Sequence, residues 1–251
     1  MPAGRGAEKE SVMKKGKGPV ERVKRAWKCG AGMFCIITGI CLIPVAGQAF
    51  HAAFSEKEIG DFPADWKTRE KAGKVVYSVQ TDGSGAFLHA ESQSNAHTIG
   101  LKASVSLEEH PYLQFSWRAI DLPAGGNEEA KKTNDGALGV YVVFEGWAMP
   151  PRSIKYVWST TLPEGTVTTS PYSKRAKIVV LRSGEENLGR WIDEEVNVLE
   201  DYRRLYGEGD IPRVKAIGVL TDSDNTGTQS IGDYRFFRFA EGREKVAARG
   251  F

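Results

Sequence analysis

The stretch Tyr112-Leu113-Gln114-Phe115-Ser116-Trp117-Arg118-Ala119-Ile120 decides the fold of this chain. Apolar and polar residues alternate along it, so the apolar side chains share one face of an extended strand and the polar ones share the other. The apolar face consists of Leu113, Phe115, Trp117 and Ala119, and the polar face of Gln114, Ser116 and Arg118. A strand with one apolar face is typical of an antiparallel sheet that covers a core.

Short runs of the same kind occupy the chain on both sides of this stretch and are separated by turn residues. The segment 81–85 predicts a hairpin turn, and the segment 123–132, rich in glycine and charge, predicts a loop. Strands do not alternate with long helices, which excludes the Rossmann and barrel enzyme classes. The sequence therefore predicts an all-β antiparallel sandwich, with strands near 75–79, 87–90, 97–103, 112–120, 137–144, 154–160, 177–182, 214–221 and 234–239.

One segment of the β-rich part has helical spacing. Its apolar residues recur three and four positions apart from Val198 to Tyr206. Asn197 can cap the start of this helix, with Glu200 as the partner in a capping box, and Gly207 fits the position just past its end. We therefore expect a single short helix at 198–206 in the sandwich.

The N-terminal region has the layout of an export signal. Residues 1–28 carry nine Lys or Arg and three Asp or Glu, whereas residues 29–49 carry no charge and end in small residues. A basic head, an apolar middle and a small-residue end are typical of a cleaved signal peptide. An apolar run of about 20 residues is also long enough for an uncleaved membrane anchor, and both alternatives remain open. Translation from Met13 would give a head of more usual length.

Either alternative exports the rest of the chain, to the periplasm or beyond it. We expect a lead-in at 50–70, a β-sandwich domain at 71–240 and a charged tail at 241–251. Residues 50–251 hold 25 basic and 29 acidic residues, and this weak negative charge argues against a nucleic-acid partner. All three cysteines lie between Cys29 and Cys41, so the exported part has no disulfide, no cysteine metal ligand and no cysteine nucleophile.

The segment 221–227 is a candidate site for a hard cation such as Ca2+. Asp222, Asp224 and Asn225 place carboxylate and amide oxygens close together ahead of Gly227, as in calcium-binding loops. The flanking segments are strands, which excludes an EF-hand. Two alternatives stay open: a polar hairpin whose side chains bond their own backbone, and direct contact with an organic ligand.

Acidic residues near the predicted helix form a second candidate site. Glu194, Glu195 and Asp201, together with Asp135, could supply the paired carboxylates of a polysaccharide hydrolase. Acidic side chains near a helix N-terminus are also stabilised by the helix dipole, which gives these residues a purely structural role. The histidines have no zinc-ligand spacing and no serine lies in a nucleophile elbow, so the sequence identifies no catalytic residue with confidence.

Aromatic residues form a third group. We expect Trp117 and Tyr141 in the core, while Trp147 and Trp158 are candidates for stacking on sugar rings. Arg118 and Asp135 flank apolar strands and could form an ion pair in a cleft. The candidate binding residues are therefore Arg118, Asp135, Trp147, Trp158, Glu194 and Asn197.

Several short strings follow one another along the chain. They are 111–118 (PYLQFSWR), 134–135 (ND), 140–144 (VYVVF), 156–158 (YVW), 170–172 (SPY), 179–184 (VVLRSG), 191–202 and 221–227 (TDSDNTG). In this order they resemble the bacterial domain-of-unknown-function family 3047. The resemblance covers roughly residues 60–240 and implies an exported bacterial protein to whose family no activity is assigned. It also implies a fold similar to galactose-binding-like jelly rolls, a class rich in carbohydrate-binding modules. The family often has an acidic pair where this chain has Asn134-Asp135, and Arg where it has Val196.

These observations favour one function and leave two alternatives. We expect a non-catalytic, exported β-sandwich that binds a glycan or another envelope component, without a cofactor or with Ca2+. The alternatives are a polysaccharide hydrolase that uses the carboxylates named above, and a structural envelope protein without a small ligand.

Overall fold

The computed structural model describes residues 50–147 and 150–242. The basic head, the apolar export segment and most of the charged tail lie outside the described residues. The described residues form thirteen strands and two α-helices, with short 3-10 turns at Glu56–Glu58 and Lys131–Thr133. The helices are α1 (Gly73–Val76) and α2 (Val198–Tyr206). Neither of these described helices has the length and the apolar character that a membrane span requires.

The strands form two packed sheets, as the alternation predicts. The six-stranded sheet has the order β11-β6-β13-β4-β3, with β1 paired to β13. Its strands are β1 (His51–Ala53), β3 (Tyr77–Thr81), β4 (Ala86–Gln93), β6 (Tyr112–Asp121), β11 (Ile192–Asn197) and β13 (Gln229–Ala240). All pairs in it are antiparallel.

The seven-stranded sheet has the order β2-β5-β12-β7-β8-β10-β9. Its strands are β2 (Lys67–Thr68), β5 (Ala96–Val105), β7 (Leu138–Phe144), β8 (Ser153–Ser159), β9 (Val167–Thr169), β10 (Ala176–Ser183) and β12 (Val214–Asp222). Strands β8 and β10 run parallel, and the other pairs are antiparallel. The protein is thus an all-β sandwich of the jelly-roll type, as expected.

The core lies between the two sheets. Leu113, Phe115 and Trp117 of β6 pack in the core between the sheets, which confirms the period-two pattern of the deciding stretch. Gln114 and Ser116 are equally buried but do not belong to that core, and the side chain of Gln114 accepts a hydrogen bond from Arg238.

The ring centres of Trp117 and Trp158 are 6.0 Å apart, and Trp158 belongs to the opposite sheet. Full burial of a large apolar side chain stabilises a fold by roughly 1.5–3 kcal/mol. This aromatic layer therefore fixes which side of each sheet faces outward.

Helix α2 has the predicted bounds and caps. The side chain of Asn197 accepts a hydrogen bond from the Glu200 N–H, and Gly207 follows the last residue with φ 91°. Tyr202 of the helix packs edge-on against Phe144 at 4.7 Å. The helix therefore covers one end of the sandwich core.

Two local predictions were wrong. The first half of the predicted strand at 75–79 is the single turn α1, and β3 begins only at Tyr77. One helical turn is too short to show a period in the sequence, and its Val75 is 88% exposed. The acid-rich segment Ile192–Asn197 is not part of a helix start but is β11, an edge strand paired with β6. Charged side chains on an edge strand discourage pairing with other chains, which explains the composition of β11.

Candidate functional site

A groove of about 1000 Å³ runs over the outer face of the seven-stranded sheet. Residues of five neighbouring strands form a row across its floor, because their side chains point away from the core. Strand register places them side by side in the order Gly100, Gly218, Tyr141, Lys155 and Ile178. The groove is therefore built from small, aromatic, charged and aliphatic side chains in one row.

Gly139 shapes the floor next to this row. A Cβ atom at Gly139 would lie 2.6 Å from Cε of Lys155, which is closer than two non-bonded carbon atoms can approach. The missing side chain lets the lysine lie flat along the sheet instead of standing up from it. This position therefore keeps the groove open and directs the ammonium group along its floor.

Lys155 is a buried cation in the floor of the groove. It is 3% exposed, and its Nζ lies 5.5 Å from the centre of the Tyr141 ring. Burial by itself would lower the pKa of Lys155, but Tyr141, Asp222 and Glu128 together raise it above the usual value. The lysine therefore keeps its charge, although it makes no ion pair within 4 Å in the part of the chain that the structure describes.

Three carboxylates meet at one end of the groove. One carboxylate oxygen from each of Asp135, Asp222 and Asp224 lies within 4.8 Å of the other two. Asp222 ends β12 and lines the groove, while Asp135 lies in the loop before β7. The Asp222 N–H donates to the carbonyl of Gly136 at 3.1 Å, which ties the loop to the strand end. We name these three residues the acidic cluster.

Ionisation of Asp222 is disfavoured in the acidic cluster. Burial raises the pKa of Asp222 to about 8, with further increases from Asp135 and Asp224 and an opposing effect of Lys155. Asp135 accepts hydrogen bonds from the N–H groups of Asn225 at 3.1 Å and Thr226 at 2.6 Å. At neutral pH Asp222 therefore carries a proton, whereas both oxygens of Asp135 have backbone donors.

An exposed tyrosine stands beside the cluster. Tyr172 is 55% exposed and lines the groove. Its hydroxyl donates to the side-chain oxygen of Asn225 at 2.8 Å and also lies 3.2 Å from the carbonyl oxygen of Lys131. The ring is therefore held in place at the groove edge while much of its surface faces solvent.

The family described as "Protein of unknown function (DUF3047)" matches residues 64–238. The chain belongs to the DUF3047 family. This confirms the resemblance drawn from the sequence strings. No curated protein matches this DUF3047 protein.

Several solved structures are similar to the DUF3047 protein at low identity. The module TmCBM61 in complex with beta-1,4-galactotriose shares 7% identity, with a TM-score of 0.36 over 76% of this chain and 99% of the module. The family 11 carbohydrate-binding module of the cellulase Lic26A-Cel5E of Clostridium thermocellum shares 9%, with a TM-score of 0.39 over 78% and 99%. Endoglucanase 3 of Trichoderma harzianum, from family GH12, gives the same values. Similarity at this level says nothing about a ligand.

The structure brings some predicted site residues together in the DUF3047 protein. Asp222 and Asp224 lie together, with Asp135 as the third member of the cluster. The side-chain oxygen of Asn225 instead accepts the hydroxyl proton of Tyr172. Trp147 is 97% exposed in the segment after β7, but it does not line the groove.

Two aromatic predictions were wrong. Trp158 is buried in the core, where its indole N–H donates to the carbonyl of Gly184 at 3.0 Å, so it offers no surface for a sugar. Tyr141, predicted in the core, faces the groove instead. Both lie in nearly continuous apolar strands, in which the sequence does not indicate the outward face.

The predicted ion pair between Arg118 and Asp135 was also wrong. Arg118 pairs with Asp233 at 2.6 Å and with Asp82 at 3.1 Å, on the outer face of the six-stranded sheet. Asp135 lies in the loop that precedes β7 of the other sheet. Register sets this outcome, because Asp233 is the direct neighbour of Arg118 on β13.

The carboxylates proposed for hydrolysis each have their own structural partners. Glu194 accepts the indole N–H of Trp117 at 3.1 Å and pairs with Arg182 at 2.7 Å. Asp201 accepts the hydroxyl proton of Tyr156 at 2.8 Å. Glu195 accepts a hydrogen bond from Gln114 at 2.8 Å, and Asp135 accepts the N–H groups of Asn225 and Thr226. Asn197, a candidate for binding, instead caps α2.

Sequence reasoning missed three residues of the site, namely Lys155, Glu128 and Tyr172. A signal existed for Lys155, because it is the one charged residue within the strand Ser153–Ser159. Glu128 and Tyr172 lie in loops, where no period relates a residue to a face of the sheet. Their positions depend on how the loops fold, which the sequence pattern does not indicate.

Proposed function

We propose that this DUF3047 protein is an exported, non-catalytic module that binds a sugar chain along the groove of the seven-stranded sheet. The observation that carries this proposal is the open groove with Tyr141 on its floor and Tyr172 at its edge. Its volume lies at the upper end of the ~300–1,000 Å³ that is usual for ligand sites.

The chemistry of the groove suits a carbohydrate. A sugar ring has an apolar face, which packs on aromatic or aliphatic side chains, and hydroxyl groups around its edge. Tyr141 on the floor and Tyr172 at the edge offer aromatic surface, whereas Ile178 and Leu220 line the floor but are buried. Polar groups for the hydroxyls line the same groove: Thr68, Glu70, His97, Asn134, Lys155 and Asp222.

The choice of ligand follows from the proposed location. An uncharged segment at 29–49 behind a basic head supports export, so the sugar chains that the protein meets are those of the envelope or the surroundings. A groove open along its length accommodates an internal stretch of polymer. We therefore propose an envelope glycan as the partner.

The test is a glycan array, followed by affinity electrophoresis against the polysaccharides that bind. Tyr172→Ala should weaken binding about 10-fold, because loss of one aromatic contact costs on the order of 1 kcal/mol. Trp147→Ala is the matched control, since it removes a more exposed aromatic outside the groove and should leave affinity unchanged. Absence of any glycan binding, or equal loss in both variants, would contradict the proposal.

A further inference from the structure

We propose that the groove of the seven-stranded sheet selects an acidic glycan, that is, a sugar chain with anionic groups such as carboxylates or sulfates along its length. This inference rests on the proposed function, because it names the class of glycan that the same groove would bind. It comes from the cationic side chains that line the groove, which are Lys67, Arg69, Lys102 and Lys155.

Two of these lysines belong to the row of residues that crosses the groove floor. Strand pairing sets Lys67 beside Gly100, and from there the row runs through Gly218 and Tyr141 to Lys155. Neighbouring strands lie about 4.8 Å apart, so four strand steps place the Cα atoms of the two lysines roughly 19 Å apart. The two glycines between them have no side chains and leave this part of the floor open. A sugar chain that lies along the row would therefore meet a lysine near each end.

Lys155 makes the floor positive from below. Its side chain is buried, and its Nζ lies 5.5 Å from the centre of the Tyr141 ring. Within residues 50–147 and 150–242, no carboxylate oxygen lies within 4 Å of this Nζ. A charge in a poorly solvated position is screened less than a charge in bulk water, because the local dielectric constant is lower. Lys155 therefore attracts an anionic group above the floor even without direct contact.

The exposed lysines can contact a ligand directly. Lys67 and Lys102 are both exposed, and neither makes an ion pair within 4 Å in the described part of the chain. Lys102 lies two residues after Gly100 on β5, so its side chain is on the same face of the sheet. An acidic ligand can thus pair with both lysines without breaking an existing ion pair.

The net charge of the groove is opposite in sign to that of the β-rich part of the chain. Among the described residues, four cations line the groove, against the carboxylates of Asp65 and Glu70 and the carboxyl of Asp222. Burial raises the pKa of Asp222 to about 8, so this carboxyl is largely protonated at neutral pH. With His97 neutral, the lining carries four positive and two negative charges, a net of +2, whereas residues 50–251 hold 25 basic and 29 acidic residues. A positive cleft on a weakly negative protein concentrates anionic ligands at the cleft.

The test compares charged and uncharged forms of the same polymer on the purified full-length protein. Affinity electrophoresis and calorimetry measure binding to polygalacturonate, alginate and dextran sulfate. The uncharged counterparts are methyl-esterified polygalacturonate, the propylene glycol ester of alginate, and dextran. At least one charged polymer should bind about 10-fold more tightly than its counterpart, and raising NaCl from about 0.05 M to about 0.5 M should remove most of the difference, because salt screens exposed charges.

Variants locate the charge that is responsible. Lys67→Gln combined with Lys102→Gln should weaken binding to the charged polymer about 5-fold and leave binding to its uncharged counterpart unchanged. Lys57→Gln is the matched control, because it removes an exposed lysine that does not line the groove. Tyr172→Ala should weaken binding to both forms, which separates contact with the sugar ring from attraction of its charge.

The outcomes distinguish this inference from the proposed function. If glycans bind but no charged polymer binds better than its uncharged counterpart, the charge preference is wrong and sugar binding stands. The same holds if the double lysine variant leaves the preference for the charged polymer unchanged. Absence of binding to every glycan and polymer would instead overturn the proposed function, and this inference with it.

Discussion

The outer faces of the two sheets differ in whether their buried carboxylates form ion pairs. On the six-stranded sheet a row of His89, Asp233 and Arg118 crosses three neighbouring strands. Asp233 is fully buried, yet it pairs with His89 at 2.8 Å and with Arg118 at 2.6 Å. This carboxylate therefore has all the partners that its burial requires.

Aromatic packing completes this face. The ring of Trp191 packs against two guanidinium groups. Its centre lies 4.5 Å from Cζ of Arg118 and 4.0 Å from Cζ of Arg235. Its indole N–H donates to Asp82 at 3.1 Å, and Asp82 also pairs with Arg118. The network covers the sheet and leaves its two carboxylates paired.

The groove face lacks this pairing. Asp222 and Glu128 make no ion pair within 4 Å among residues 50–147 and 150–242, and burial raises the pKa of both. The comparison teaches that the same chain gives the buried Asp233 two charged partners, whereas Asp222 and Glu128 beside the groove accept hydrogen bonds but make no ion pair. Carboxyls with a raised pKa in a cleft are typical of functional sites.

The largest expected effect comes from breaking the paired face. Asp233→Ala removes the buried acceptor that His89 and Arg118 share and leaves Arg118 with Asp82 alone, which should cost about 3–5 kcal/mol of unfolding free energy. Urea denaturation followed by tryptophan fluorescence measures this. Glu208→Gln is the control, because it removes an exposed partner of Arg203 and should cost less than about 0.5 kcal/mol. Equal effects of the two variants would contradict the contrast between paired and exposed charges.

A smaller effect with a distinct pH dependence is expected on the groove face. In the folded chain Asp222 keeps its proton up to about pH 8, whereas in the unfolded chain it ionises near its ordinary pKa of 3.8. Between these values the folded state binds more protons, so this residue makes the protein less stable as the pH rises. Asp222→Asn removes that contribution.

In EDTA, the loss of unfolding free energy of wild type between pH 5 and pH 8 should shrink by roughly 1–3 kcal/mol in this variant. Urea unfolding at the two pH values measures it, with Asp210→Asn as a control that should follow wild type. Parallel pH profiles for wild type and Asp222→Asn would show that the folded structure does not raise the pKa of Asp222.

The smallest effect has the opposite sign. Burial raises the pKa of Asp82, but hydrogen bonds from Ser84 and Trp191 and the charge of Arg118 outweigh it and lower the pKa to about 2. Its stabilising contribution is therefore present above the unfolded pKa near 3.8 and is lost as the pH falls towards 2.

Because Asp82 is largely exposed to solvent, we expect Asp82→Asn to cost only about 0.5–1 kcal/mol at pH 7. The cost should vanish near pH 2, and thermal unfolding at both pH values measures it. A variant that is equally destabilised at pH 2 would point to lost packing around Trp191 instead of lost charge.

Local patterns predicted the long strands and the helix α2. Alternation placed the strand Tyr112–Asp121 and buried Trp117, and capping residues set both ends of the helix Val198–Tyr206. They failed at α1, where a single helical turn is too short to show a repeat. They also failed at β11, where an acid-rich segment forms a strand because it pairs with the edge of the sheet. The candidate site was predicted in part: Asp222 and Asp224 were identified, whereas Tyr141 was assigned to the wrong face.

By itself, the sequence determined that this protein is a β-sandwich with a short capped helix, because side-chain alternation and capping depend on residues close together in the chain. Only the tertiary structure decided which outer face is closed and which is open. That decision depends on strand register, which joins Arg118 to Asp233, and on loops that bring Asp135 to Asp222 across a long stretch of chain. Charges are paired in space and not along the sequence, so Asp222 and Asp224 had a local signal, whereas the places of Asp135 and Glu128 had none.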